Sequence, residues 1–198
     1  MAGTKVVFFD AGGVVLKCNY WDFLEEAENR VGIAPKMGKH SAAVFDTELN
    51  LGEATVREAL ERIFPNASRG QMKQLLQIWT GAWPTDWKMV ELVKKLKKNY
   101  TVGMISNSDE LHRKRLLKEG VLQLFEKPVL SHEVGVIKPG KEIFELALKK
   151  LNAKAGESIF VDDIQECVEA AEELGFRAIH FENRGQCEKE LKKLGIKF

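Results

Sequence analysis

The sequence of 198 residues contains few cysteines, no long apolar run and no excess of charge of either sign. The three cysteines, Cys18, Cys167 and Cys187, lack CxxC spacing, which argues against a disulfide framework or a zinc site and predicts reduced thiols in the cytoplasm. No stretch approaches the roughly 18 consecutive apolar residues of a membrane span. The balance of 30 basic and 29 acidic residues predicts neither nucleic acid nor a membrane surface as a partner.

The composition that remains is typical of a folded chain. Hydrophobic residues make up 44% and charged residues 30%, which allows a packed core and argues against disorder. The length predicts one domain, or a core with a modest insertion. The sequence carries no signal of oligomeric state.

Five short apolar runs predict buried strands, because they are rich in β-branched or aromatic residues and lack strict alternation. They are Val6–Phe9, Val102–Ile105, Pro128–Leu130, Ser158–Val161 and Ala178–Phe181. Helical periodicity separates the later runs, most clearly at Lys141–Leu151 and Gln165–Leu174. This alternation predicts an α/β fold with a Rossmann-like, doubly wound parallel sheet.

The segment Lys17–Trp87 differs, because it has helical patterns and no convincing strand. We expect three or four helices there, forming a small helical cap inserted after the first strand. The predicted division is an α/β core at 1–16 and 88–198 and a cap at 17–87. Because two segments of chain join these parts, we expect a hinge between cap and core.

Polar residues follow four of the predicted elements, at the points where strands or their loops end. They are Asp10-Ala11-Gly12-Gly13, Ser106-Asn107-Ser108, Lys138-Pro139 and Asp162-Asp163. Each alone has an ordinary explanation as a helix cap, a turn or a surface residue. Together they lie at one edge of a parallel sheet, the edge where ligands bind in such folds.

The aspartates in this set predict a reactive carboxylate and a metal. A carboxylate can attack phosphorus and form an acyl phosphate, a role available to Asp10. Carboxylates that lie close together repel one another unless a cation lies between them. The grouping of Asp10 with Asp162 and Asp163 therefore implies a divalent ion. Hard oxygen ligands suit Mg²⁺, which also binds substrate phosphate.

The other residues at this edge predict a phosphate site. Gly12 and Gly13 allow backbone N–H groups to approach phosphate oxygens. The Ser106 hydroxyl can donate a hydrogen bond to phosphate, and Lys138 can offset the negative charge.

The motifs FFDAGGVV, ISNS, IKPG and FVDD, in this order, resemble the four motifs of the haloacid dehalogenase (HAD) superfamily. The resemblance covers nearly the whole chain, and the insertion resembles the small helical cap of one subgroup. FDAGGVV is similar to the branch that contains the phosphatase domain of soluble epoxide hydrolase. The resemblance implies a Mg²⁺-dependent phosphatase acting on a small phosphorylated substrate.

The same resemblance implies roles for individual residues. Asp10 would be the nucleophile and a metal ligand, with Asp163, and Asp162 beside it, as further ligands. The other implied roles are phosphate binding by Ser106 and Asn107 and stabilisation of the nucleophile and the transferring group by Lys138.

Gly12 departs from the family pattern, which has a second aspartate here as general acid and base. Losing such a group typically lowers the rate by about 10²–10⁴-fold. The backbone carbonyl of Gly12 can still bind the metal. A slow or non-catalytic protein that binds phosphate and metal is therefore the main alternative. A different carbon- or phosphorus-directed reaction on the same scaffold is a further alternative. Haloacid dehalogenation is one such reaction, but it needs no metal, so the Asp162-Asp163 pair argues against it.

Overall fold

A sheet of five parallel strands forms the centre of the described structure, a computed structural model that covers residues 4–17, 20–36 and 47–198. The strands are β1 (Val6–Phe9), β2 (Thr101–Ser106), β3 (Val129–Leu130), β4 (Ser158–Asp162) and β5 (Arg177–His180). They lie in the order β3-β2-β1-β4-β5, and every neighbouring pair is parallel. The predicted fold class is confirmed.

The strand order reverses between β1 and β4. The chain runs outward from β1 through β2 to β3 and then crosses back to place β4 and β5 on the other side. Crevices at such reversal points are where open α/β sheets bind ligands. The register pairs Phe9 of β1 with Val161 of β4. The next residues of the two strands, Asp10 and Asp162, therefore come out side by side at this point.

Helices cover both faces of the sheet. The longer ones are α1 (Tyr20–Val31), α2 (Val56–Ile63), α3 (Arg69–Gly81), α4 (Trp87–Leu96), α5 (Glu110–Lys118), α6 (Lys141–Leu151), α7 (Gln165–Glu173) and α8 (Arg184–Lys193). Within the described ranges, no helix has the length and apolar character needed to cross a membrane.

Alternate residues of β1 enter two separate hydrophobic layers. Val7 and Phe9 belong to the layer that includes residues of α4, α5 and α8 and of the inserted helices. Val6 and Phe8 belong to the layer formed with α6 and α7. Because successive strand residues point to opposite faces, a strand buried on both faces must be apolar throughout.

The insertion after β1 contains α1, α2, α3 and a short helical stretch at residues 47–51. Both α1 and α2 pack against α3. Two of these helices begin at capping boxes that the sequence encodes, Thr55 with Glu58 and Ser68 with Gln71. The predicted helical insertion is present in the described residues.

Two short segments connect the insertion to the sheet, and they run side by side. The outgoing segment turns tightly after β1, where the N–H groups of Val15 and Leu16 donate to the Ala11 carbonyl at 2.9 and 2.7 Å. The two segments then exchange hydrogen bonds, Lys17 N–H to the Pro84 carbonyl at 2.9 Å and Asp86 N–H to the Val15 carbonyl at 2.8 Å.

Helix α5 holds the inserted helices by their ends. The Glu110 carboxylate accepts the N–H of Val56, the first residue of α2, at 3.0 Å. The Arg115 guanidinium donates to the carbonyls of Thr80 and Trp83, at the end of α3, at 2.7 and 2.8 Å. The acidic Glu110 thus lies at the N-terminus of α2, and the basic Arg115 lies at the C-terminus of α3. Each is the favourable charge for that end of the helix dipole.

A buried carboxylate, Asp109, adds a second connection. Its Oδ2 accepts the Trp79 indole N–H at 3.1 Å and lies 2.6 Å from His112 Nδ1. Its Oδ1 accepts two backbone N–H groups and caps α5. The ring of Trp83 packs between these partners, 4.7 Å from Trp79 and 4.2 Å from His112. These two tryptophans therefore serve packing between the insertion and the core.

Candidate active site

Asp10 lies directly after the central strand, at the reversal point of the sheet. The residue is 5% exposed, and its N–H donates to the Val161 carbonyl at 2.9 Å. The Lys138 ammonium lies 2.8 Å from Asp10 Oδ1 and 2.5 Å from Asp162 Oδ2. Lys138 is itself only 3% exposed. A buried cation therefore joins the carboxylates that end β1 and β4.

The two aspartates at the end of β4 have different surroundings. Both oxygens of the fully buried Asp162 are engaged, Oδ2 by Lys138 and Oδ1 by the Ile164 N–H at 2.8 Å. Asp163 is only partly buried, and one of its oxygens lies within 4.8 Å of oxygens of both Asp10 and Asp162. The structure thus brings together the three predicted carboxylates.

Gly13 makes the close approach of Asp163 possible. A Cβ atom at this position would lie 2.0 Å from Asp163 Oδ2, and the backbone φ of +72° is one that other residues rarely adopt. Gly12 lies beside it and is partly buried, within the turn that follows Asp10. Gly13 therefore allows the β1 and β4 loops to meet at the site.

The site has a strong internal electrostatic imbalance. Burial raises the pKa of Asp10 to about 7, Lys138 opposes this rise, and the two neighbouring aspartates add to it. Burial alone would lower the pKa of Lys138, but Asp10 and Asp162 raise it above its ordinary value. Burial and Asp162 also raise the pKa of Asp163. Lys138 therefore stays protonated, and its single positive charge does not balance the negative charges of the three carboxylates.

This imbalance fits a small divalent cation. Three ionised carboxylates and one ammonium leave a net charge of −2, which one divalent ion neutralises. All three aspartates offer hard oxygen ligands, the type that Mg²⁺ prefers. Asp163 can turn toward a cation most readily, because it is the most exposed of the three aspartates.

Ser106 and Asn107 reach the same edge from β2. Ser106 is fully buried, and its hydroxyl donates to the Asn107 carbonyl at 3.0 Å. The Asn107 side-chain amide bonds twice to the backbone of Lys138. The next residue, Ser108, donates its N–H to Ser131 Oγ at 3.0 Å, which ties the ends of β2 and β3 together.

Sequence reasoning did not predict the partners of Asn107, Ser131 and Asp109. Asp109 carried a detectable signal, because an aspartate before a helical pattern is a common N-cap. The partners of the other two depend on how the β3–α6 loop passes the end of β2. A sequence pattern of strands and helices does not encode that path.

The buried aspartate–lysine pair and the further aspartates lie at the reversal point of a doubly wound sheet, where enzymes of this architecture bind their ligands. Residues 4–175 match the family model of haloacid dehalogenase-like hydrolases. The chain belongs to this family, as its motifs indicated.

Relatives with assigned activities agree with this membership. The chain is 27% identical over 200 residues to D-ribitol-5-phosphate phosphatase of Bacteroides thetaiotaomicron, covering 94% of this chain and 96% of the relative. Half of the chain is 28% identical to bifunctional epoxide hydrolase 2 of Rattus norvegicus, of which the match spans 19%. A HAD family enzyme of Bacteroides thetaiotaomicron, solved as a magnesium complex, superimposes with a TM-score of 0.80 at 23% identity, covering 91% of this chain and 94% of that one.

Proposed function

We propose that the protein is a Mg²⁺-dependent phosphatase of small phosphorylated metabolites that works through an aspartyl-phosphate on Asp10. The observation that carries this proposal is the buried Asp10–Lys138 ion pair beside Asp162 and Asp163 at the reversal point of the sheet. The similarity to a sugar-alcohol phosphate phosphatase over nearly the full length supports a small phosphorylated substrate.

In the proposed reaction, Asp10 is the nucleophile in the first step. A carboxylate oxygen forms a bond to phosphorus, and the bond from phosphorus to the leaving oxygen breaks. In the second step, a water oxygen bonds to phosphorus and the bond to Asp10 breaks, which releases inorganic phosphate and restores the carboxylate. Lys138 stabilises Asp10 and the charge on the transferring group, and Ser106 with the backbone of Gly12 and Gly13 binds phosphate oxygens.

The metal-binding residues in this proposal are Asp10, the Gly12 carbonyl, Asp162 and Asp163. Mg²⁺ in this position supplies positive charge to the substrate phosphate and to the crowded carboxylates. Within this set Asp163 is the principal carboxylate beside Asp10, since both oxygens of Asp162 already have partners in the protein. Asp162 then acts mainly by holding Lys138.

A second candidate function is a slow or non-catalytic protein that binds phosphate and metal. Gly12 favours it, because this position has no side chain to protonate a leaving group. The two functions share the metal site and differ in turnover.

We further propose that 17–87 is the cap of a core formed by 1–16 and 88–198, and that the protein works in the cytoplasm. The free, buried thiols of Cys167 and Cys187 fit a reducing compartment. Burial raises the pKa of both thiols to about 12, so neither is a candidate nucleophile.

Hydrolysis of an aryl phosphate with and without Mg²⁺ tests the main proposal. We expect Mg²⁺-dependent turnover, and a reduction by at least about 10³-fold in Asp10→Asn, because an amide is not a useful nucleophile. The variant should stay folded, because it removes a carboxylate whose ionised form is disfavoured by burial. Near wild-type turnover in a pure Asp10→Asn sample would exclude the covalent mechanism.

The metal site has its own test, independent of turnover. Mg²⁺ should raise the melting temperature of the wild type by mass action, and Asp163→Ala should lose most of that rise. Glu166→Ala is the matched control, because Glu166 is a nearby exposed carboxylate at the start of α7. An equal rise in all three proteins would contradict the proposed ligand set. Metal binding without turnover would favour the second candidate function.

A further inference from the structure

The Asn107 side chain is turned toward Lys138, and its two polar atoms bond to the backbone of that residue. Asn107 Nδ2 donates to the Lys138 carbonyl at 3.0 Å, and Asn107 Oδ1 accepts the Lys138 N–H at 2.8 Å. A backbone N–H can only donate and a carbonyl can only accept, so this pairing fixes the orientation of the amide.

Lys138 needs such a restraint because of where it lies. Its side chain is buried, yet Gly135 and Pro139 on either side of it in the loop are exposed. Its ammonium must stay within hydrogen-bond distance of Asp10 and Asp162 at the same time. Both hydrogen bonds described for the Lys138 backbone are made with Asn107, which lies 31 residues earlier at the end of β2.

We infer that Asn107 is a positioning residue, which holds the backbone of Lys138 so that its ammonium stays between Asp10 and Asp162, and that it is not a phosphate ligand. The kinetic consequence of this inference rests on the proposed phosphatase function, but the structural consequence does not. The two parts can therefore be tested separately.

The structural part predicts the chemical reactivity of Lys138. In the wild type this amine is buried and paired with two carboxylates, so acetylation by an activated ester should be slow compared with that of the exposed Lys141. Asn107→Ala should raise the Lys138-to-Lys141 labelling ratio by at least about threefold, because the released loop opens more often. Ser108→Ala is the control, because its hydroxyl makes only a 3.5 Å contact in the same loop. Peptide mass spectrometry of the native protein measures the ratio.

The kinetic part is a double-mutant cycle with Lys138→Met. We expect Asn107→Ala to lower kcat/KM by about 10- to 100-fold, the effect of a misplaced catalytic group. In the Lys138→Met background the same substitution should change it by less than about twofold, because Asn107 would act only through Lys138. A loss of similar size in both backgrounds would overturn the inference, since that is the behaviour of a residue that binds phosphate itself.

Asn107→Asp repeats both experiments if the alanine variant does not fold. The aspartate keeps an acceptor for the Lys138 N–H and loses the donor to the Lys138 carbonyl, so an intermediate labelling ratio is expected. An unchanged ratio in a folded Asn107 variant would overturn the inference even if Asp10→Asn is inactive. A raised ratio in a protein without any phosphatase activity would retain the positioning role and reject only the proposed function.

Discussion

The two glycines after Asp10 differ in what a side chain would meet. At Gly13 any Cβ atom collides with the Asp163 carboxylate, and φ is positive. Gly12 is not among the described glycines with positive φ. A side chain at position 12 therefore avoids the backbone strain that one at position 13 would introduce. Position 12 is therefore where a carboxylic acid can be introduced to test the effect of a general acid.

Gly12→Asp should reduce the dependence of turnover on the leaving group. Without a carboxylic acid at this position, an alkoxide must leave with little proton assistance, whereas a phenolate is a weaker base and needs less. We expect the wild type to hydrolyse aryl phosphates much faster than alkyl phosphates, and the variant to narrow that ratio by about tenfold or more.

Gly12→Asn is the matched control for that experiment, since it has the same shape and no acidic proton. It should leave the aryl-to-alkyl ratio of kcat/KM unchanged. A folded, Mg²⁺-binding Gly12→Asp variant with the wild-type ratio would mean that another residue already supplies the proton.

The residues that the sequence identified are those whose place follows from strand ends alone. Asp10, Ser106 and Asp162 each follow or end an apolar run, and parallel strands bring their carboxyl ends to one edge. Lys138 was placed at this edge because it lies in the loop that follows the third apolar run, and the motif resemblance then implied its role. Asn107 was expected to bind phosphate, and this stays untested. The contact of its side-chain amide with the Lys138 backbone was not predicted, because loop path rather than strand position decides that partner.

At the level of elements, α5 follows β2 directly and is the main contact of the insertion with the core. Its Asp109, Glu110 and Arg115 each bond to the inserted helices or to the segment after them. The same helix begins three residues after Asn107. The position of the insertion is therefore connected through one short element to the loop that carries Ser106, the proposed phosphate ligand.

Trp79→Phe should be more destabilising than Trp83→Phe, although both replace a buried indole in the same cluster. The Trp79 N–H bonds to the Asp109 carboxylate, whereas no partner is described for the buried Trp83 N–H. A hydrogen bond to a charged group contributes about 1.5–3 kcal/mol, so the two variants should differ by about that amount in the free energy of unfolding. Urea denaturation at pH 7 measures the difference, and equal losses would contradict a role for the Asp109 bond.

The difference in the free energy of unfolding between Trp79→Phe and Trp83→Phe should also depend on pH. Burial alone would raise the pKa of Asp109, but His112 and the hydrogen bonds from the backbone and Trp79 hold it below its ordinary value. The stability that ionised Asp109 contributes is therefore present above about pH 4 and is lost as pH falls through its lowered pKa. The gap between Trp79→Phe and Trp83→Phe should shrink in that acidic range.

Element boundaries were predictable where the apolar pattern ends sharply, at Lys5 and Asp10 around the first strand and at Gly140 and Asn152 around the helix Lys141–Leu151. Val6–Phe9 and Lys141–Leu151 are found as predicted, and the other strands differ by one residue at one or both ends. The contacts of α5 with the insertion were not predictable, because they join residues 30 to 54 positions apart and no pattern in the sequence pairs those residues.

On the scale of the whole molecule, the insertion and the sheet share one hydrophobic layer. Phe23, Leu60 and Trp79 of the insertion belong to the same cluster as Met104 and Leu116 of the core. The hinge predicted from the two connecting segments stays a prediction. The polar contacts along α5 add to this layer and favour one relative position of cap and core.

The final prediction is that cap and core unfold in one cooperative transition. Three of the four tryptophans, Trp21, Trp79 and Trp83, precede α4, so the fluorescence follows mainly the insertion and its contact with the core, while far-UV circular dichroism follows the whole chain. The two urea transitions of the wild type should coincide, as in a two-state protein. Arg115→Ala should lower the free energy of unfolding by at least about 1.5 kcal/mol, because it removes charged hydrogen bonds to the end of α3. Arg113→Ala is the matched control, since Arg113 lies on the same helix and pairs with Glu133 of the core. A fluorescence transition at clearly lower urea than the circular dichroism transition in the wild type would show that the cap is an independent unit.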